Sequence, residues 1–127
     1  MPTTIGNVAI NVADIERSER FYVDVLGLEV LNRIRTPDVE ELIVGSTTGG
    51  SQLILARHGD GRPVVAGGGM WKVYVATDDV EDAFRRAVEA GAEVVAEPRL
   101  LEQFKVTIGF VHDPDGHLVE LGQQHPR

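Results

Sequence analysis

Residues 7–31 read NVAINVADIERSERFYVDVLGLEVL, and the two periodicities in this stretch decide the fold. Val8, Ile10 and Val12 alternate with Asn7, Ala9 and Asn11, the period of a strand with one buried face. Asp14 stands where a helix N-cap belongs, and Ile15, Ser18, Tyr22, Val25 and Leu26 recur at helical spacing until Gly27 supplies a stop. Leu28 to Arg35 returns as a strand.

Outward from this unit, Glu40 to Ser46 and Gln52 to Arg57 read as two more strands about the turn Thr47-Thr48-Gly49-Gly50, completing a βαβββ order. The same order then recurs. Met70 to Ala76 alternates as a strand, Asp78 or Asp79 caps a helix with Val80, Ala83, Phe84, Ala87 and Val88 as its apolar stripe, and Gly91 ends it. Glu93 to Ala96 is the next strand, Pro98 to Gln103 a loop, and Lys105 to His112 with Leu118 to Gln123 a hairpin about Asp113-Pro114-Asp115-Gly116. Asp14 aligns with Asp79, Gly27 with Gly91, Val30 with Val94 and Leu55 with Leu121, a repeat with a period of about 65 residues. The expected organisation is one domain over residues 1–127. Module one covers about 4–58, a glycine-rich loop 59–69, and module two about 70–124. Gly67-Gly68-Gly69 reads as a linker; no Lys-Ser or Lys-Thr follows it to make a phosphate loop.

Composition narrows the function classes. A chain of 127 residues can bury about two thirds of its unfolded surface, and it has no cysteine, which removes disulfides, thiolate metal sites and thiol nucleophiles. A formal net charge of −8 with dispersed basic residues argues against a nucleic-acid partner. No apolar stretch is long enough for a membrane span or a signal peptide, so a cytoplasmic protein is expected.

The ordered set Val12-Ala13-Asp14-Ile15, Phe21-Tyr22, Val25-Leu26-Gly27-Leu28, Asp78-Asp79-Val80, Ala90-Gly91-Ala92, Pro98 and Asp113-Pro114-Asp115-Gly116-His117-Leu118-Val119-Glu120-Leu121 resembles the vicinal-oxygen-chelate superfamily, the group of glyoxalases, bleomycin-resistance proteins and extradiol dioxygenases. The resemblance spans nearly the whole chain. It implies an α+β fold in which two tandem βαβββ modules form a curved eight-stranded mixed sheet, with helices on the convex face and a ligand cup on the other. Parity agrees: Val8/Ile10/Val12, Leu53/Leu55, Trp71/Val73/Val75 and Val119/Leu121 share the face where helices would pack, which makes Trp71 a core residue. The opposite face carries Asn7, Asn11, Gln52, Ile54, Lys72, Tyr74 and Glu120, scattered polar groups among apolar ones, as a small-molecule cavity requires.

Metal-dependent members of that superfamily take ligands from the first and last strands of each module. Carried over in register, those positions fall on Asn7, Ile54, Lys72 and Glu120. Only Glu120 is a good ligand, Ile54 has no donor atom, and an ammonium at Lys72 repels a cation. No metal ligand and no cofactor is therefore expected, and a divalent metal is disfavoured. His58, His112, His117 and His125 lie at strand ends, in a turn and at the tail, without metal-ligand spacing. Lys72 and Glu120 fall on neighbouring strands and are expected to pair, either as a structural ion pair or as an anchor in which Lys72 holds a carboxylate or enolate oxygen and Glu120 acts as acid or base. The ligand-binding candidates are Asn7, Asn11, Gln52, Ile54, Lys72, Tyr74, Phe104 and Glu120, with Lys72 and Glu120 as catalytic candidates. Phe104 either covers the cavity or plugs the domain.

These readings point to a protein that binds a small organic ligand without metal, as a sequestering protein or a metal-free enzyme, in a homodimer. A metal-dependent lyase, isomerase or dioxygenase is the alternative.

Overall fold

In the computed structural model, which describes residues 2–126, β1 (Val8–Asn11) leads through α1 (Ile15–Glu19) and a π-helical turn (Arg20–Val25) to β2 (Glu29–Arg35), β3 (Val39–Gly45) and β4 (Leu53–His58). The second set is β5 (Val73–Ala76), α2 (Val80–Glu89), β6 (Val94–Leu101), β7 (Val106–His112) and β8 (Leu118–Gln124). Both are βαβββ, and the eight strands form two four-stranded mixed sheets ordered β1-β4-β3-β2 and β5-β8-β7-β6. The chain divides into two compact units between Val65 and Ala66. Among the described residues no helix is long and apolar enough to cross a membrane.

The caps repeat with the strands. Asp14 accepts from the Arg17 backbone N–H at 3.1 Å and Asp79 from that of Asp82 at 3.1 Å, each satisfying a donor that the first helical turn leaves open. Gly27 and Gly91 both follow their helices at positive φ, 87° and 92°, where a Cβ would be strained.

In the first unit α1 packs on β3 and β4, burying Ile15 and Ser18 with Ile10, Val12, Leu42, Val44 and Leu55. The helical periodicity breaks at one point. Leu26 N–H donates to Phe21 C=O at 3.0 Å, a bond five residues back, and the extra residue in that turn lets Phe21 and Tyr22 both point inward. Their rings meet edge to face at 5.0 Å, and both are buried. In the second unit α2 packs on β6, β7 and β8 and buries Val80, Ala83 and Ala87 against Val75, Val111, Val119 and Leu121. Burying each such Val or Leu is worth roughly 1.5–3 kcal/mol.

Two expectations need correction. The stretch 98–103 is not all loop: β6 runs on to Leu101, and the turn begins at Glu102. Pro98 is accommodated because β6 is an edge strand with a second register shift between Ala96 and Arg99, and a bulge on an edge tolerates a residue without an N–H. Gly109 on β7 makes room for it, since a Cβ there would stand 3.3 Å from the Pro98 ring. Trp71 is not core. The strand begins at Val73, so alternation does not reach Trp71, which is 74% exposed. Phe104 sits in the turn between β6 and β7, 56% exposed.

Candidate functional site

The first and last strands of each module pair in parallel, Ala9 with Ile54 in one sheet and Tyr74 with Glu120 in the other. Asn7 therefore stands to Ile54 as Lys72 stands to Glu120, and the expected equivalence of the four positions holds in backbone register. The chemistry at the two pairs differs.

In the second unit Glu120 is buried, its side chain 7% exposed, and the Lys72 ammonium sits directly on Oε1. No well-aligned hydrogen bond reaches that oxygen, so the charge of Lys72 is what compensates its burial; a carboxylate buried without a partner would cost several kcal/mol. Lys72 Nζ also lies 3.8 Å from the centroid of the Trp71 ring and 5.7 Å from that of Phe110. The aromatic face attracts the ammonium, and the contact gives Trp71 a position that strand parity could not supply.

Tyr74 lies on the same face as Glu120. Its ring and hydroxyl cover Gly122, where a Cβ would collide with them. Half of Tyr74 is exposed. Phe110 pairs with Glu120 across β7 and β8, so Lys72, Glu120, Tyr74 and Phe110 form one patch of a polar pair beside aromatic rings. Phe104 enters through its backbone carbonyl, which accepts from the Gln124 amide at 3.2 Å.

In the first unit Asn7 is exposed, and Gln52 and Ile54 are half-buried. Asn11 Oδ1 meets His58 Nε2 at 3.0 Å. These two with Arg57, Gly61, Arg62 and Val64 border a cleft of about 210 Å³. Two larger clefts, of about 380 and 450 Å³, flank the β2–β3 turn. Arg57 and Arg62 on their walls are held by Glu40 at 3.4 Å and Asp60 at 2.7 Å. The Arg62 guanidinium pulls the Asp60 carboxyl down to about 2. These clefts share only Asn11 with the expected ligand residues, and the arginines on their walls are already paired with carboxylates.

Of the other histidines, His112 Nδ1 contacts Glu93 at 2.5 Å and His125 Nε2 contacts Thr107 at 2.7 Å. His117 is buried, and its backbone N–H donates to Asp113 at 2.9 Å within the turn before β8. Among the described residues no group of three His, Asp or Glu is placed to hold a metal. The residues at the superfamily's ligand positions do not fit a divalent ion either. Ile54 offers hydrocarbon, and the one carboxylate faces an ammonium.

Sequence reasoning missed Arg99. Its pairing with Ile108 puts it on the face of Gly122 and Tyr74, but the stretch reads as loop because Pro98 ordinarily breaks a strand. The available signal was the apolar run beyond it, Leu100-Leu101.

Comparison with known proteins accords with this architecture. A glyoxalase family protein from Bacillus cereus superposes with a TM-score of 0.85 at 18% identity, covering 99% of this chain and 97% of that one. Glyoxalase I from Zea mays superposes at 0.82 with 22% identity, over 94% of this chain but 44% of its own, so this chain spans less than half of the maize protein. Likenesses at that identity speak to fold alone. In sequence, the lactoylglutathione lyase of Neisseria meningitidis is 29% identical over 119 residues, 91% of this chain and 86% of that protein. The family model described as Glyoxalase/Bleomycin resistance protein/Dioxygenase superfamily matches residues 4–121, and the chain belongs to that superfamily.

Proposed function

We propose that this protein binds a small oxygenated organic ligand on the second unit's sheet face, anchored by Lys72 and Glu120 and independent of metal. The observation that carries the reading is the Lys72 ammonium on Glu120 Oε1, a built-in cation at a position where metal-dependent relatives place a ligand. Lys72 has N–H donors beyond the contact with Glu120, suited to a carbonyl, carboxylate or enolate oxygen. Glu120 can exchange a proton with a ligand that draws the ammonium away. Whether the chain sequesters its ligand or turns it over depends on that proton. A homodimer in the cytoplasm belongs to the same proposal and is checked by light scattering and fractionation.

The test is a screen of small oxygenated compounds against EDTA-treated protein, read by thermal shift and amide chemical shifts. Binding retained in EDTA and lost in Lys72→Met is the expected result. Intact binding by Lys72→Met, with lowered stability alone, makes the pair structural and contradicts the proposal.

A second reading, metal-dependent lyase activity, rests on the names of relatives. Proteins 27% and 29% identical, from Synechocystis and Neisseria meningitidis, are called probable lactoylglutathione lyase and lactoylglutathione lyase. Those names weigh toward an enzyme, and the donor set at Asn7, Ile54, Lys72 and Glu120 weighs against the metal. Formation of lactoylglutathione only after a divalent metal is added would establish this reading over the first.

A further inference from the structure

We infer that Arg99 selects the charge of the ligand, and that the ligand class is a small monoanion: a carboxylate at Arg99, an apolar body across Ile108 and Phe110, and an uncharged oxygen acceptor at Lys72. The inference rests on the ligand-binding reading above and names the chemistry that face would take.

Register supplies the geometry. Arg99 pairs with Ile108 and Ile108 with Gly122, while Phe110 pairs with Glu120 and Glu120 with Tyr74. Paired residues share a face, so these form two adjacent rows on the side of the sheet away from α2. The rows lie two residues apart along the strands, and Arg99 lies two strands from Glu120. The strand and residue spacings put their Cα atoms roughly 12 Å apart. Ile108 and Phe110, both half-buried, are the floor between them. A molecule with one ring and a polar group at each end spans that distance.

Charge supplies the class. Lys72 is neutralised by Glu120, so the pair offers hydrogen-bond donors without net charge. Arg99 has no carboxylate partner among the described residues, whereas Arg33, Arg35, Arg57, Arg62, Arg85 and Arg86 each have one. Glu97 falls inside the second bulge of β6, where no pairing assigns it to either face. The paired residues of this face therefore carry one uncompensated positive charge in a chain whose net charge is −8. A cationic ligand would meet that guanidinium unfavourably, and a dianion would leave its second charge unmatched. A single carboxylate matches the planar guanidinium in bidentate geometry.

Trp71 is the single tryptophan and lies against Lys72, so its fluorescence reports on the anchor directly. The test titrates the wild type, Arg99→Gln and Arg99→Lys with 4-acetylbenzoate and with its uncharged methyl ester, recording Trp71 fluorescence and amide shifts. Arg99 is exposed on an edge strand, which makes these substitutions compatible with folding. The wild type should bind the acid roughly tenfold or more tightly than the ester, the worth of one charge-assisted contact. Arg99→Gln should remove that preference, and Arg99→Lys should restore part of it. Equal binding of acid and ester by the wild type, or an unchanged preference in Arg99→Gln, overturns the role of Arg99 and leaves the ligand face standing. No binding of either probe by either readout overturns the ligand face and this inference together.

Discussion

The two units carry one backbone plan and two chemistries. Each has a first strand parallel to its last and a helix capped by aspartate and ended by glycine. Each also has a register shift at the same point of its second strand, between Val30 and Asn32 in one and between Val94 and Ala96 in the other. The helix-facing residues correspond as well, with Leu55 and Leu121 both fully buried. On the other face the correspondence ends, because Asn7 and Ile54 stand where the second unit has Lys72 and Glu120. The comparison teaches that apolar alternation and turn chemistry hold the fold, while the face turned away from the helix is free to differ.

The largest effect should come from the shared face. Leu55→Ala and Leu121→Ala should each cost about 2–5 kcal/mol, measured by urea unfolding. A loss below about 1 kcal/mol for one of them alone would show that the two cores are not packed alike.

The unshared face gives the next effect. Lys72→Asn leaves Glu120 buried without a counter-charge, and Glu120→Ile leaves the ammonium without its carboxylate. Each single change should cost about 1–3 kcal/mol, less than for a fully buried pair because Lys72 keeps some exposure. The double variant Lys72→Asn/Glu120→Ile makes the second unit resemble the first and should recover most of that loss. Additive losses in the cycle would mean the two side chains do not stabilise each other.

Gly122 and its counterpart Ala56 sharpen the contrast on a smaller scale. Ala56 lies beside Asn11 and Gly122 beside Ala76 at the same register position, and at Gly122 the Tyr74 ring occupies the space a Cβ would need. Gly122→Ala should displace the exposed Tyr74 ring at a cost of about 1 kcal/mol or less, since the ring can swing toward solvent. Ring resonances of Tyr74 that stay in place would contradict this contact.

The smallest effect is a pH dependence in the first unit. The Glu40 carboxyl is held below its ordinary 4.5, first by the hydrogen bond from Arg35, with Arg57 adding to it. Its charge is favoured in the folded state, so the stabilisation is present above pH 4.5 and fades as pH falls through the lowered value. The pair is well solvated, so Glu40→Gln should lose only about 0.2–1 kcal/mol near neutrality. The difference in Tm from the wild type should narrow below pH 4.5, and a difference that widens there would reverse the assignment.

The fold was legible in the sequence because its signals are local. Period-two strands, Asp14 and Asp79 as caps, and Gly27 and Gly91 as stops each act within a few residues. The Lys72–Glu120 pair was legible for the same reason, since parity and module alignment put both residues on one face. What escaped depends on partners distant in sequence. β6 continues past Pro98 only because an edge position allows a bulge and Gly109 leaves room for the ring. Trp71 lies one residue beyond Lys72 as the chain runs back from β5, where alternation no longer governs side-chain direction, and its ring is placed by the neighbouring ammonium. Arg99 follows from the first of these and could not be assigned to a face without it. The π-helical turn likewise needs the buried Phe21 and Tyr22 to explain it.

The most direct test of the account exposes tag-free protein to nickel, zinc, manganese and ferrous iron, desalts it, and measures bound metal by elemental analysis. The ion pair at Lys72 and Glu120 predicts less than roughly a tenth of an equivalent of each, because an ammonium faces the one carboxylate a metal would need. Near-stoichiometric retention that disappears in Glu120→Ala would contradict it and return the protein to the metal-dependent branch of its superfamily.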